Sequence, residues 1–151
     1  MSEKPLFSVD LVRLEDIVIT NARIDNNTEI SNLDRNKYFF DISHAFKIAF
    51  NIEQKKVRVV SSSVIKTLEK SNRNEIGINA NFDIAFYFSI ENLDDFLNSQ
   101  DLIVSVANIA YSTSRGIIFT RCQGTIFKSI IIPIISTEKL IDMLKSKKEE
   151  S

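Results

Sequence analysis

From Ile76 to Glu91 the chain reads IGINANFDIAFYFSIE, where every even position through Ile90 is apolar and the odd ones are mostly small or polar. Strict period two marks a β-strand with one buried face. Unbroken, such a strand would run about 50 Å at about 3.3 Å per residue, whereas a compact chain of this size has a radius of gyration near roughly 15 Å. So long an apolar ribbon needs a cover.

Two further segments alternate in the same way. Between Tyr38 and Glu53, Phe40, Ile42, His44, Phe46, Ile48, Phe50 and Ile52 share one face, opposite Asp41, Ser43, Lys47 and Asn51. After a polar break at 54–56, Val57 to Leu68 is rich in β-branched residues, so an antiparallel hairpin is expected, with SNRNE (71–75) as the turn into the opening strand. An earlier strand is expected within Leu6 to Thr20. There Phe7, Val9 and Leu11 alternate before the apolar phase moves to Val12 and Leu14, then to Ile17 and Ile19, and such shifts signal bulges or strong twist. The polar stretch from Asn21 to Lys37 is long for a connection and is expected to be a loop, either a flexible excursion or a functional segment. Short turns at the last two joints predict a four-stranded antiparallel meander rather than βαβ units, which need helical crossovers.

Beyond Ile90 the period changes. ENLDDFLNSQ (91–100) reads as a loop with Leu93, Phe96 and Leu97 as buried candidates. Asp101 is the expected cap of a helix reaching Cys122, with Ile103, Val106, Ala107, Ala110, Ile117 and Ile118 at helical spacing and a bend at Gly116. Gly124 ends that helix, IFKSIIIPII is extended around Pro133, and Thr137 caps a short amphipathic helix that turns Leu140, Ile141 and Leu144 inward. The expectation is an α+β fold, a single domain over residues 1–145 with a long and a short C-terminal helix on one face of the sheet, then a charged flexible tail at 146–151.

Composition narrows the function. Hydrophobic residues make up 44% and charged ones 26%, which are globular proportions, and the net charge of -1 gives no general attraction to nucleic acid or anionic membrane. The single Cys122 excludes an intrachain disulfide, MSEKPLF does not read as a secretion signal, and the aliphatic run IIIPII is far shorter than the roughly 20 residues of a membrane helix. A cytoplasmic protein with no direct membrane insertion is expected.

Catalytic signatures are scarce. Three separated glycines, Gly77, Gly116 and Gly124, form neither a dinucleotide fingerprint nor a P-loop, and one His with one Cys cannot build a zinc cage. His44 lies in the apolar register of its strand and reads as a hydrogen-bonded core histidine, Cys122 as a small buried hydrophobe. The pairs Glu15–Asp16 and Asp94–Asp95 read as solvated surface. No catalytic residue, metal or cofactor is expected. The apolar excess is the informative signal, because a long sheet offers more area than two modest helices can cover, and uncovered apolar face belongs to subunit contacts or ligand grooves.

Several strings resemble the SecB-like family of protein-export chaperones, over roughly Leu6 to Met143. In ANIAYSTSRGIIFTRCQGTIFKSIIIPIIST, Gly124 and Thr125 match the family's G-T pair after the long helix, and Ile130, Ile132 and Pro133 match its L-x-L-x-P segment. RLEDIVIT resembles the family's K-D-I-S-F-E string. The resemblance implies an ATP-independent holdase, a homotetramer built as a dimer of dimers, that binds unfolded or preprotein segments in apolar grooves. Groove candidates by position are Ile17, Ile19, Leu93, Phe96, Leu97, Leu140 and Met143. In the family, acidic residues of the K-D-I-S-F-E string help dock the preprotein translocase motor. Here Asp16 holds the D position, but Glu15 stands for the Lys and Thr20 for the final Glu. An adaptor for a single partner, such as an antitoxin of a toxin–antitoxin pair, is therefore the alternative, and a small-molecule pocket beside His44 is a third reading.

Overall fold

The computed structural model describes residues 5–25 and 36–149, without the side chains of 146–149. Four strands form one antiparallel sheet: β1 (Val12–Ile24), β2 (Tyr38–Asn51), β3 (Lys56–Glu69) and β4 (Glu75–Ile90). The long alternating ribbon is a single strand that sits inside the sheet, between β1 and β3, with one register shift near its start, where pairing with β3 steps from Lys66–Asn79 to Leu68–Glu75 around Gly77 at φ 76°. The spatial order is β1-β4-β3-β2, so the meander spans β2 to β4 while β1 lies against β4 at the other edge. Read in reverse, this is a Greek key.

That order explains the long polar connection. The end of β1 and the start of β2 lie on opposite edges, three strand spacings or about 15 Å apart, beyond the reach of a tight turn. Asp25 fixes one end, its N–H donating to the Asn79 carbonyl at 2.9 Å and its carboxylate accepting from the Asn79 N–H at 3.0 Å. At the other end, the Lys70 N–H donates to the Lys37 carbonyl at 2.8 Å. Residues 21–24 are strand rather than loop, and 26–35, the rest of the segment read as either a flexible excursion or a functional loop, lie outside the described residues.

Of the two phase shifts expected in the first strand, the one from Leu11 to Val12 is a 3-10 turn (Val9–Leu11) that precedes β1, because residues before Val12 are not strand; the one from Leu14 to Ile17 is a bulge, and a further bulge follows at Thr20. Pairing steps from Leu14–Phe88 to Asp16–Tyr87 and from Ile19–Ile84 to Asn21–Asp83, leaving Glu15 and Thr20 as extra residues. Each bulge resets the alternation, so Leu14, Ile17, Ile19 and Ala22 all share the face of Phe88, Phe86, Ile84 and Phe82. The core lies on this face of β3 and β4, where Phe82, Phe86 and Phe88 are fully buried. Each such side chain contributes about 2–3 kcal/mol.

A short helix, α1 (Leu93–Phe96), replaces the expected loop and plugs Leu93 and Phe96 into the core. Then α2 (Gln100–Cys122) crosses the inner face, mainly over β3 and β4. Its cap is Ser99, whose hydroxyl accepts from the Leu102 N–H, and Asp101 lies in the first turn, where a negative charge suits the helix dipole. Its buried stripe recurs every fourth residue, from Leu102 through Val106, Ala110, Ser114 and Ile118 to Cys122. Helical assignment continues through Gly116. By length and a mean hydropathy of 1.3, α2 could cross a bilayer, but that buried stripe packs on the sheet. The helix ends in a turn with type II geometry: Gln123 at φ -62° and ψ 137°, Gly124 at φ 78°, and the Thr125 N–H returning to the Cys122 carbonyl at 3.2 Å.

Residues 126–129 form turns, and only 130–136 are extended, as a strap across α2. Ile130 and Ile132 are buried while Ile131 and Ile134 are 79% and 82% exposed. Finally α3 (Thr137–Glu149) packs on α2. Ser136, not Thr137, caps it, accepting from the Lys139 N–H through its hydroxyl and from the Leu140 N–H through its carbonyl. The helix reaches Glu149, so the first residues of the expected flexible tail are helical, and 150–151 lie outside the described residues.

Candidate functional site

Along the outer half of β2, the helix layer does not close down on the sheet. An open cleft of about 570 Å³ remains, floored by Phe46, Ile48 and Phe50 of β2. Its walls are Leu97 and the first turn of α2, through Ile103 and Val104, on one side, and Ile141 and Leu144 of α3 on the other. Alternation along β2 turns every second side chain into this cleft. β2 is also an edge strand, and among the described residues one side of its backbone faces no neighbouring strand. Apolar walls beside an unpaired strand edge suit an extended polypeptide, whose backbone can add to the sheet while alternate side chains enter the cleft.

A second apolar strip lies on the opposite edge. The inner face of β1 is uncovered by helix, with Leu14 and Ile17 each 37% exposed and Ile19 half-buried. Among the described residues no helix lies on the other face of the sheet, which carries mixed charge. The bulge puts Glu15 beside Asp16 at this edge, and Lys56 pairs with the Glu15 carboxylate at 3.2 Å. The bond to Lys56 and one to Ser89 hold that carboxyl below the usual value. Opposite Asp16 stands Tyr87, with the Arg58 guanidinium 5.9 Å from its ring centroid.

The titratable candidates are packed, not poised. His44 Nδ1 lies 2.8 Å from the Ser63 hydroxyl, and its ring meets Tyr111 edge-on at 5.1 Å. Burial, assisted by the Lys139 charge, pushes its pKa below the ordinary value, so the ring is neutral at pH 7. Burial raises the Cys122 thiol to about 11, which keeps it from acting as a thiolate.

In structure the protein is similar to the Mycobacterium tuberculosis Rv1957 SecB-like chaperone, solved in complex with a ChAD peptide from the Rv1956 HigA1 antitoxin. The TM-score is 0.57 at 10% sequence identity, over 85% of this chain and 93% of that one. The fold is SecB-like. No protein-family model and no curated protein matches the chain in sequence.

Within this SecB-like fold the groove candidates named from sequence separate into four groups. Leu97 lines the cleft. Leu93, Phe96 and Leu140 are core side chains, between 0% and 3% exposed. Ile17 and Ile19 lie on the far edge of the sheet, and Met143 is a half-buried residue of α3 against the core. Sequence reading assigned the actual lining residues Ile103, Ile141 and Leu144 to packed helix faces, because helical periodicity marks an apolar stripe without saying whether anything covers it. Phe46, Ile48 and Phe50 were recognised as one face of a strand, and nothing in that pattern identifies an edge strand.

Proposed function

We propose that this protein binds segments of other polypeptides in the cleft beside β2, without nucleotide or bond-making chemistry, and serves a dedicated partner rather than general protein export. The observation that carries the reading is the open apolar cleft along a free strand edge in a SecB-like fold. Uncharged apolar walls accept unfolded segments without a strict sequence code. An antitoxin peptide on the structurally similar Rv1957 chaperone supports the dedicated partner. So does the surface around Asp16, where Lys56 pairs with Glu15 and neutralises one of the two adjacent carboxylates. The exposed apolar strip on β1 and the outward Ile131 and Ile134 support self-association, in this reading a homotetramer, and the proposed place of action is the cytoplasm.

The test uses the full chain and its Ile48→Asp variant. A dedicated adaptor yields one stoichiometric partner with the wild type, loses it in Ile48→Asp, and leaves aggregation of a generic chemically unfolded protein unchanged. Broad suppression of that aggregation at a several-fold excess would instead make it a general holdase. If neither occurs, the polypeptide-binding reading fails.

A further inference from the structure

The cleft is apolar but not electrically neutral. Lys47, from β2, and Lys145, from α3, stand on either side of its floor, and no carboxylate is among its described lining residues. The remaining polar members, Asn98 and Gln100, are uncharged. Lys47 interrupts the row Phe46, Ile48, Phe50 and, by alternation, points to the opposite face of the edge strand, at the rim. Both lysines are exposed, and neither is among the ion pairs found for the described residues. A segment lying between β2 and α3 therefore meets apolar walls and two cations, one contributed by each element.

Resting on the polypeptide-binding role proposed above, we infer that the preferred occupant is an apolar segment flanked by acidic residues. A basic-flanked segment of the same core would bring like charges against Lys47 and Lys145. Complementary rim charges act at high dielectric, so each contributes modestly and through a salt-sensitive term. The expected discrimination between otherwise identical acidic- and basic-flanked peptides is about three- to tenfold at low ionic strength. It should shrink as added salt shortens the screening length.

The experiment is fluorescence anisotropy of two labelled peptides with one shared apolar core, one carrying two Glu at each end and the other two Lys. Each is titrated with the full-length protein and with a Lys47→Glu/Lys145→Glu variant. Both positions are exposed, and thermal melting confirms that the variant is folded. Tighter binding of the acidic-flanked peptide, reversed in the variant and diminished by salt, supports the inference. Equal binding of both peptides, or tighter binding of the basic one, overturns it while leaving the polypeptide-binding role intact. A preference that persists in the variant removes these two lysines as its source. If neither peptide binds, the inference falls together with the role on which it rests.

Discussion

The Tyr111 hydroxyl donates a 2.7 Å hydrogen bond to the carbonyl oxygen of Pro133, tying the middle of α2 to the strap before α3. One helical turn on, Arg115 Nε donates to the Ile132 carbonyl at 2.9 Å. The strap has no strand partner, so these two side chains supply the acceptors' partners that a sheet would otherwise provide. Through the strap they also set where α3 begins, and hence one wall of the cleft.

Tyr111→Phe should remove the hydroxyl contact while keeping the ring against His44 and Phe46. The expected loss is about 1 kcal/mol, or roughly 2–4 °C in Tm for a domain of this size. Tyr111→Phe and Arg115→Met act on one segment, so the double variant should depart from additivity. Melting temperatures unchanged in both single variants would show that the strap is held by Ile130 and Ile132 alone.

Two glycines should respond oppositely to the same substitution. Neither Gly116 nor Gly124 has an atom within 4 Å of an added Cβ, so crowding decides nothing at either site. Gly124→Ala forces a side chain into φ 78° and should cost about 1–2 kcal/mol. Gly116→Ala, on an exposed turn of α2, should gain about 0.5–1 kcal/mol from helix propensity. Denaturant midpoints measure both, and equal signs would contradict the assigned geometry.

Acidification should weaken the fold through His44. Its folded pKa is lowered from 6.5, first by burial and then by Lys139, so near and below pH 6.5 the unfolded chain binds the proton before the folded one does. The associated stability is present above pH 6.5 and is lost as pH falls through the folded value. Chemical denaturation of wild type and His44→Gln at pH 7.5 and 5.5 isolates this contribution, since ordinary carboxylates titrate lower, near about 4. The wild type should lose more stability across that interval than His44→Gln. An identical loss would mean that another group titrates there.

What could be read from the sequence follows from how locally each feature is encoded. β2, β3 and β4 were legible because a one-residue slip would turn Phe82 or Phe86 to solvent, so period two is enforced at every step. The bulge at Glu15 showed too, since it shifts the apolar phase between Leu14 and Ile17, whereas the one at Thr20 fell where the polar stretch from Asn21 hid the continuing strand. The strand order was not legible. Whether β1 joins β2 or β4 depends on a crossover that leaves no mark on the alternation of either strand. Capping was displaced by one or two residues, to Ser99 and Ser136, because Ser99, Asp101, Ser136 and Thr137 are all good caps and tertiary packing chooses among them. The cleft was least legible. Leu93 and Leu97 are four residues apart on one segment, and α2's path over the sheet buries the first and leaves the second at the rim.

The two uncovered apolar zones, on opposite edges of one sheet, should serve different purposes. Ile48 floors the cleft beside α3, whereas Ile17 lies on the bare inner face of β1 with no helix above it. A concave site with walls on two sides can surround an extended segment, while a flat strip on a long edge strand offers what a second copy of the sheet can pair with or cover. Ile48→Asp should therefore weaken peptide binding by tenfold or more, by placing a charge on an apolar floor, and leave the assembled mass unchanged. Ile17→Asp should leave the cleft intact and lower the mass measured by light scattering from the four times 17.2 kDa that the proposed tetramer requires to a smaller multiple. Both positions are partly solvated, so neither change should unfold the protein, and circular dichroism checks that. A tetramer insensitive to Ile17→Asp would assign the β1 strip to solvent. Peptide binding lost in Ile17→Asp but retained in Ile48→Asp would exchange the two roles and move the binding site to the β1 edge.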